Sequence, residues 1–119
     1  MDILVTNNIL VKTNYESRFK VDYSDCSLQE VLTLVRNYVH KGHILLTHPL
    51  SGSVKPNETP YKSVLVSGEK GKVDLQSVQI AEESIFAAKK FAYRHIQERY
   101  LPDLREVDFT LISSAIANL

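Results

Sequence analysis

The side chains able to do acid–base or anion chemistry crowd into one stretch, Thr47–Tyr61. It reads Thr-His-Pro-Leu-Ser-Gly-Ser-Val-Lys-Pro-Asn-Glu-Thr-Pro-Tyr. His48 can give or take a proton near neutral pH. Ser51-Gly52-Ser53 could present successive backbone N–H groups as an anion nest, and Lys55 could neutralise a phosphate or carboxylate. A second polar group, Thr6-Asn7-Asn8, follows the first apolar run of the chain. The expected ligand-binding set is therefore Thr6, Asn7, Asn8, Thr47, His48, Ser51, Gly52, Ser53, Lys55, Asn57 and Thr59. His48 is the candidate catalytic residue within it.

A plainer reading stands beside this one. Ser, Gly and Pro gather in loops for turn chemistry alone, and a histidine at a strand end can simply form a hydrogen bond. Against it, a loop of about a dozen residues exceeds the usual connection of roughly 4–6, and such loops more often carry function. The stretch lacks the Gly-Lys-Ser/Thr ending of a phosphate loop, and Thr6-Asn7-Asn8 lacks the glycines of a dinucleotide turn. The nucleophile elbow G-x-S-x-G is absent too. No cofactor is expected. His40, His43 and His95 read as surface or internally satisfied histidines, since a metal needs three or four converging ligands. Cys26 precedes a helix start, which can activate a thiol. A free cysteine is more often a small buried filler.

The elements that must position these residues follow from the apolar periodicity. Ile3-Leu4-Val5 reads as a strand, Ile9 to about Ser17 as a short helix, and Lys20–Tyr23 as a half-buried strand. Ser27 and Glu30 form a capping-box pattern, and Leu28, Val31, Leu32, Val35, Tyr38 and Val39 continue one helical face. Gly42 suits the left-handed position after that helix. His43–His48 is apolar on both faces, as a central parallel strand would be, and Pro49 ends it. Lys62–Ser67 is a further strand. Asp74 caps a long helix striped by Val78, Ala81, Ile85, Ala88 and Ala92 and broadened by Phe86, Phe91 and Ile96, with Pro102 as its stop. Val107–Leu119 closes the chain as a helix, apolar enough to leave surface for a contact between two copies.

Strands alternating with helices predict an α/β fold. The expectation is a single three-layer domain over residues 1–119, with a mostly parallel sheet of about four strands, Rossmann-like or flavodoxin-like. Strand 1 and the Ile44 strand would be neighbours, so that Thr6–Asn8 faces Thr47–His48 at the sheet edge where ligands collect.

Composition narrows the partners. The 119 residues are 44% hydrophobic and 24% charged, ordinary globular usage. Fourteen basic and fourteen acidic side chains cancel, so no global field draws nucleic acid or an anionic membrane. Apolar runs reach only three or four residues, such as Ile9–Val11 and Ile44–Leu46, far short of the about 20 of a membrane helix. One cysteine and no leader-like start read as cytoplasmic.

The run Lys41-Gly-His-Ile-Leu-Leu-Thr-His-Pro-Leu-Ser-Gly-Ser-Val-Lys-Pro-Asn-Glu-Thr-Pro-Tyr-Lys-Ser63 resembles the GrdX family, as does Thr6-Asn7-Asn8. The likeness extends more loosely over most of the chain. It implies a small cytoplasmic protein encoded beside the selenium-dependent glycine, sarcosine and betaine reductases of anaerobic bacteria. It implies a pathway context, not a reaction, and carries no catalytic residue onto this chain. The leading expectation is an accessory or regulatory protein that binds a small anionic metabolite through the 47–61 loop. The alternatives are a small enzyme using His48 with Lys55, and an assembly factor that docks on a reductase subunit.

Overall fold

The structure, a computed structural model, describes residues 1–50, 55–91 and 95–119. Its elements are β1 (Ile3–Thr6), α1 (Ile9–Tyr15), β2 (Lys20–Tyr23), α2 (Leu28–His40), β3 (Ser63–Val66), α3 (Leu75–Lys89), a 3-10 turn at Glu98–Tyr100 and α4 (Leu101–Ala117).

Local chemistry explains where the helices start. Asn8 caps α1 by accepting from Leu10 N at 3.0 Å. Ser27 and Glu30 form the capping box of α2. Asp74 caps α3, accepting from Ser77 N at 3.0 Å and from Ser77 Oγ at 2.6 Å. Each cap satisfies backbone N–H groups that a helix start leaves without partners. Gly42 takes φ +105° just past the end of α2.

The sheet corrects the expectation. It has three strands in the order β2-β1-β3, with β2 parallel and β3 antiparallel to β1. It is a mixed sheet, not the mostly parallel one of about four strands expected for a Rossmann-like or flavodoxin-like fold. The segment His43–His48, expected as a central parallel strand, runs instead along the far side of β3. There it makes a single antiparallel bridge, Leu45 to Val66. Backbone bonds hold it there, Leu46 N to Leu65 O at 2.9 Å and Ser67 N to Ile44 O at 2.8 Å, and side chains add to them. Leu65 N donates to Thr47 Oγ1 at 2.9 Å, and Ile44 N donates to Ser67 Oγ at 2.8 Å. With β3 beside β1, the expected adjacency of strand 1 and the Ile44 segment does not occur. Among its described residues the link from residue 47 to β3 holds no crossover helix, which a parallel return would need.

Helices cover both faces. Ile3, Val5, Val64 and Val66 meet Val31, Val35 and Val39 of α2 on one face. Leu4 and Leu65 meet Val11 of α1 and Ile112 and Ile116 of α4 on the other. Leu28 and Leu32 pack with Ile85 and Ala88, joining α2 to α3. Each buried aliphatic side chain contributes about 1.5–3 kcal/mol relative to exposure.

Pro102 also differs from expectation. The helix begun at Asp74 already ends at Lys89, and Pro102 sits in the first turn of α4. A proline there loses no helical hydrogen bond. Within the expected stripe, Ala81, Ile85 and Ala88 are buried, whereas Phe86 is 65% exposed. Ala92 lies outside the described residues. Among those residues no helix is long and apolar enough to cross a membrane.

Candidate functional site

The carboxyl end of β1 holds a connected network of buried polar side chains. Thr6 pairs with Ser63 across β1 and β3. Ser63 Oγ donates to Asp108 Oδ2 of α4 at 2.8 Å, so its oxygen is left to accept from Thr6 Oγ1 at 2.7 Å. Thr6 Oγ1 in turn accepts from Asn8 N at 3.0 Å. Asn8 Nδ2 donates to Asp108 Oδ2 and to Arg105 O, each at 3.0 Å. One directed chain of hydrogen bonds thus runs from a backbone amide to a buried carboxylate.

Asp108 is 5% exposed and Lys62 is 8% exposed. Burial raises the Asp108 carboxyl above its ordinary value, against the hydrogen bonds from Asn8 and Ser63 and the charge of Lys62. Burial lowers the Lys62 ammonium, against the charge of Asp108. Among the described residues Lys62 Nζ has no hydrogen bond or ion pair, so the two charges act on each other without touching.

Asn7 organises the other side of the strand end. Its Nδ2 donates to Cys26 O at 2.8 Å and to Pro60 O at 2.7 Å. Its Oδ1 accepts from Lys62 N at 2.9 Å. One amide therefore ties the entry to α2 and the segment 56–61 to β1. Glu58 N donates to Lys55 O at 2.9 Å, and Tyr61 N to Thr59 Oγ1 at 3.1 Å, which sets two local turns in that segment. Tyr61 OH accepts from Arg105 Nη1 at 2.7 Å and joins the segment to α4.

These ties frame a cavity of about 590 Å³ between β1, α2, α3, the start of α4 and the segment 56–61. Leu28, Ala88, Phe91, Ile96 and Leu101 give it apolar walls, and Asn7, Cys26, Asn57 and Thr59 give it polar groups. Asp25, Ser27, Gln29 and His95, all exposed, also line it. The volume suits a small organic ligand. Asn57 Oδ1 is buried and has no hydrogen-bond partner among the described residues. Burial pushes the Cys26 thiol up, with a hydrogen bond from Ser24 opposing and the charges of Glu30, Asp25 and Asp22 assisting. The thiol is therefore held protonated, the reverse of activation by a helix start. Among the described residues no three His, Cys, Asp or Glu side chains gather as metal ligands.

The expected site residues separate into groups. Asn7, Asn57 and Thr59 line the cavity. Thr6 and Asn8 belong to the Asp108 network. Thr47 is buried, with its hydroxyl engaged by Leu65 N. His48 is exposed, and its Nδ1 accepts from Leu50 N at 3.0 Å. Lys55 is exposed and outside the lining. Ser51, Gly52 and Ser53 lie outside the described residues.

Sequence reasoning missed Asp108 and Lys62. The signal for Asp108 was present: it stands four and eight residues before Ile112 and Ile116, on the face that buries them. Lys62 gave no comparable signal, since a lysine before a strand is ordinarily solvated.

Comparison with curated proteins and with solved structures gave no match. A family model, described as GrdX-like protein, matches residues 3–117 and so spans nearly all of the sequence. The chain belongs to the GrdX-like protein family.

Proposed function

We propose that this protein is an accessory or regulatory component of glycine-reductase-type systems that binds a small molecule in the cavity beside β1. Family membership supports the pathway context. The cavity carries the ligand reading: about 590 Å³ of space is walled by β1, α2, α3 and the segment 56–61 together. A molecule held there would touch all four and could change how the segment presents itself to a partner. Lys55, the cation on which an anionic ligand would draw, is exposed and outside the lining. The reading therefore rests on the cavity and not on an anion.

The test combines two readouts on the full chain. Glycine, sarcosine, betaine, phosphates, nucleotides and small aromatic amides are screened by thermal shift. Each stabilising compound is then tested for protection of Cys26, a wall of the cavity, against iodoacetamide. A ligand at about 100 times its Kd adds about 2.7 kcal/mol, a readable shift. The expected result is a compound that both stabilises the protein and slows Cys26 alkylation. Stabilisers that leave the alkylation rate unchanged, or no stabiliser at all, would remove the ligand reading.

A further inference from the structure

We propose that two copies of this chain pair through the free edge of β2, antiparallel about Val21, and so join their two three-stranded sheets into one. The first observation is the backbone. β2 is an end strand of the sheet. Lys20 N donates to Asp2 O at 3.0 Å, and Ser24 N to Thr6 O at 3.1 Å. Bonded residues alternate along a parallel ladder, so Lys20, Asp22 and Ser24 turn their backbone groups to β1. Val21 and Tyr23 turn theirs outwards, where no described residue bonds them. An open edge of this kind is a template for a further strand.

The second observation is charge complementarity, and it names a second copy as that strand. Centring the pair on Val21 sets Lys20 of each copy opposite Asp22 of the other, twice over by the two-fold symmetry. Val21 N–H of each copy then donates to the Val21 carbonyl of the other. The positions on either side are the closer, non-hydrogen-bonded pairs, which brings Lys20 and Asp22 side chains together. Lys20 is exposed. Asp22 Oδ2 accepts from Tyr38 OH, which leaves Oδ1 for the incoming ammonium. A pairing centred on Lys20 or on Asp22 sets like charges face to face, and so does a parallel pairing in register. A lysine on a short edge strand ordinarily repels another strand. In this one register the second copy carries the carboxylate that cancels it. Phe19 and Tyr23, both half-buried, fall opposite each other at the ends of the pair.

The test is sedimentation velocity over a concentration series, with amide hydrogen exchange by NMR, on the full chain. The wild type should dimerise as concentration rises. Its Val21 amide should then slow to join those of Lys20 and Ser24, which are bonded within each copy. Lys20→Glu turns two opposed pairs into like-charged ones and should weaken the dimer about tenfold. Val21→Pro removes an N–H that serves no bond inside the chain, a place where an edge strand accepts proline, and should give a folded monomer. Lys20→Glu alters only an exposed side chain and decides the matter even where Val21→Pro does not fold. A monomer at every concentration would overturn the proposal. So would a dimer whose Val21 amide exchanges freely and whose affinity Lys20→Glu leaves unchanged, since its contact would lie on another face, such as that of α4.

Discussion

Asn8 Nδ2 donates to Asp108 Oδ2 at 3.0 Å, although 100 positions separate the two residues. The same oxygen accepts from Ser63 Oγ at 2.8 Å, so the cap of α1, β3 and α4 are fastened at one carboxylate. The fastening is also where the fold stores a charge out of water. Burial raises the Asp108 carboxyl above 3.8 despite both donors.

That direction sets a pH dependence. Asp108 holds its proton more tightly in the folded state than in the unfolded one. Its contribution is fully present below pH 3.8 and is lost as pH rises through the raised folded value. Asp108→Asn offers an amide oxygen to the same two donors and has no charge to bury. Urea unfolding of the two proteins should therefore diverge with pH. Wild type should lose stability relative to the variant as pH climbs from 3.8 through the raised folded value. A difference that stays flat would mean an ordinary carboxyl at this position.

Lys62 supplies the counter-charge at a distance. Its charge opposes the rise at Asp108, while burial lowers its own value below 10.5. Lys62→Met should push the Asp108 carboxyl further up. Carbon-13 NMR of the Asp108 side chain in wild type and variant reads this directly. An unmoved or lowered Asp108 would show that the two groups do not interact.

Asn7 is the tie whose loss should cost most at the cavity. Asn7→Ala leaves Cys26 O, Pro60 O and Lys62 N without their partner. The expected destabilisation is about 2–3 kcal/mol by urea unfolding. Cys26 alkylation should also quicken as the wall loosens. A loss below about 1 kcal/mol would mean that water replaces the amide at little cost.

Tyr38 gives an alkaline counterpart. Burial, then a 2.5 Å hydrogen bond to Asp22 Oδ2 and the charge of Asp22, raise it from 10.0 to about 12. A raised folded value means a contribution fully present below pH 10 and lost as pH climbs through about 12. Wild type should fall toward Tyr38→Phe over that window in denaturant unfolding. Parallel curves would remove the Asp22 hydrogen bond as the cause.

What the sequence made legible is what a few neighbouring residues decide. Ser27 with Glu30, Asp74 and Gly42 mark helix ends through contacts within about four positions, and each stands where local chemistry puts it. Strand partnership is decided elsewhere. The apolar run at Ile44–Leu46 reads the same beside β1 or beside β3. Thr47 and Ser67, whose hydroxyls reinforce its backbone bonds to β3, look like ordinary turn residues. Pro102 was ambiguous by nature, since a proline stops one helix as readily as it starts the next. Asn7, Asn57 and Thr59 could be named as polar residues near a strand end or in a loop. The apolar half of the cavity could not, because Leu28, Phe91 and Ile96 come together only once α2 and the segments after α3 have docked.

Gly42 offers a test of one such local rule against a tertiary one. Its φ of +105° already disfavours a side chain, and a Cβ built there would lie 2.2 Å from Gly71 O. That oxygen is backbone and cannot swing away, because Gly71 N donates to Gly42 O at 3.1 Å and locks the two turns together. Gly71 itself has open space around a would-be Cβ and no positive φ. Gly42→Ala should therefore cost more than about 2 kcal/mol, the sum of backbone strain and a steric shift. Gly71→Ala should stay within about 1 kcal/mol of wild type and can gain by stiffening the unfolded chain. Urea unfolding of the two single variants decides between the readings. Equal costs would place the penalty in lost turn flexibility shared by both glycines. A large cost at Gly42 alone would place it in the contact between the end of α2 and the turn after β3.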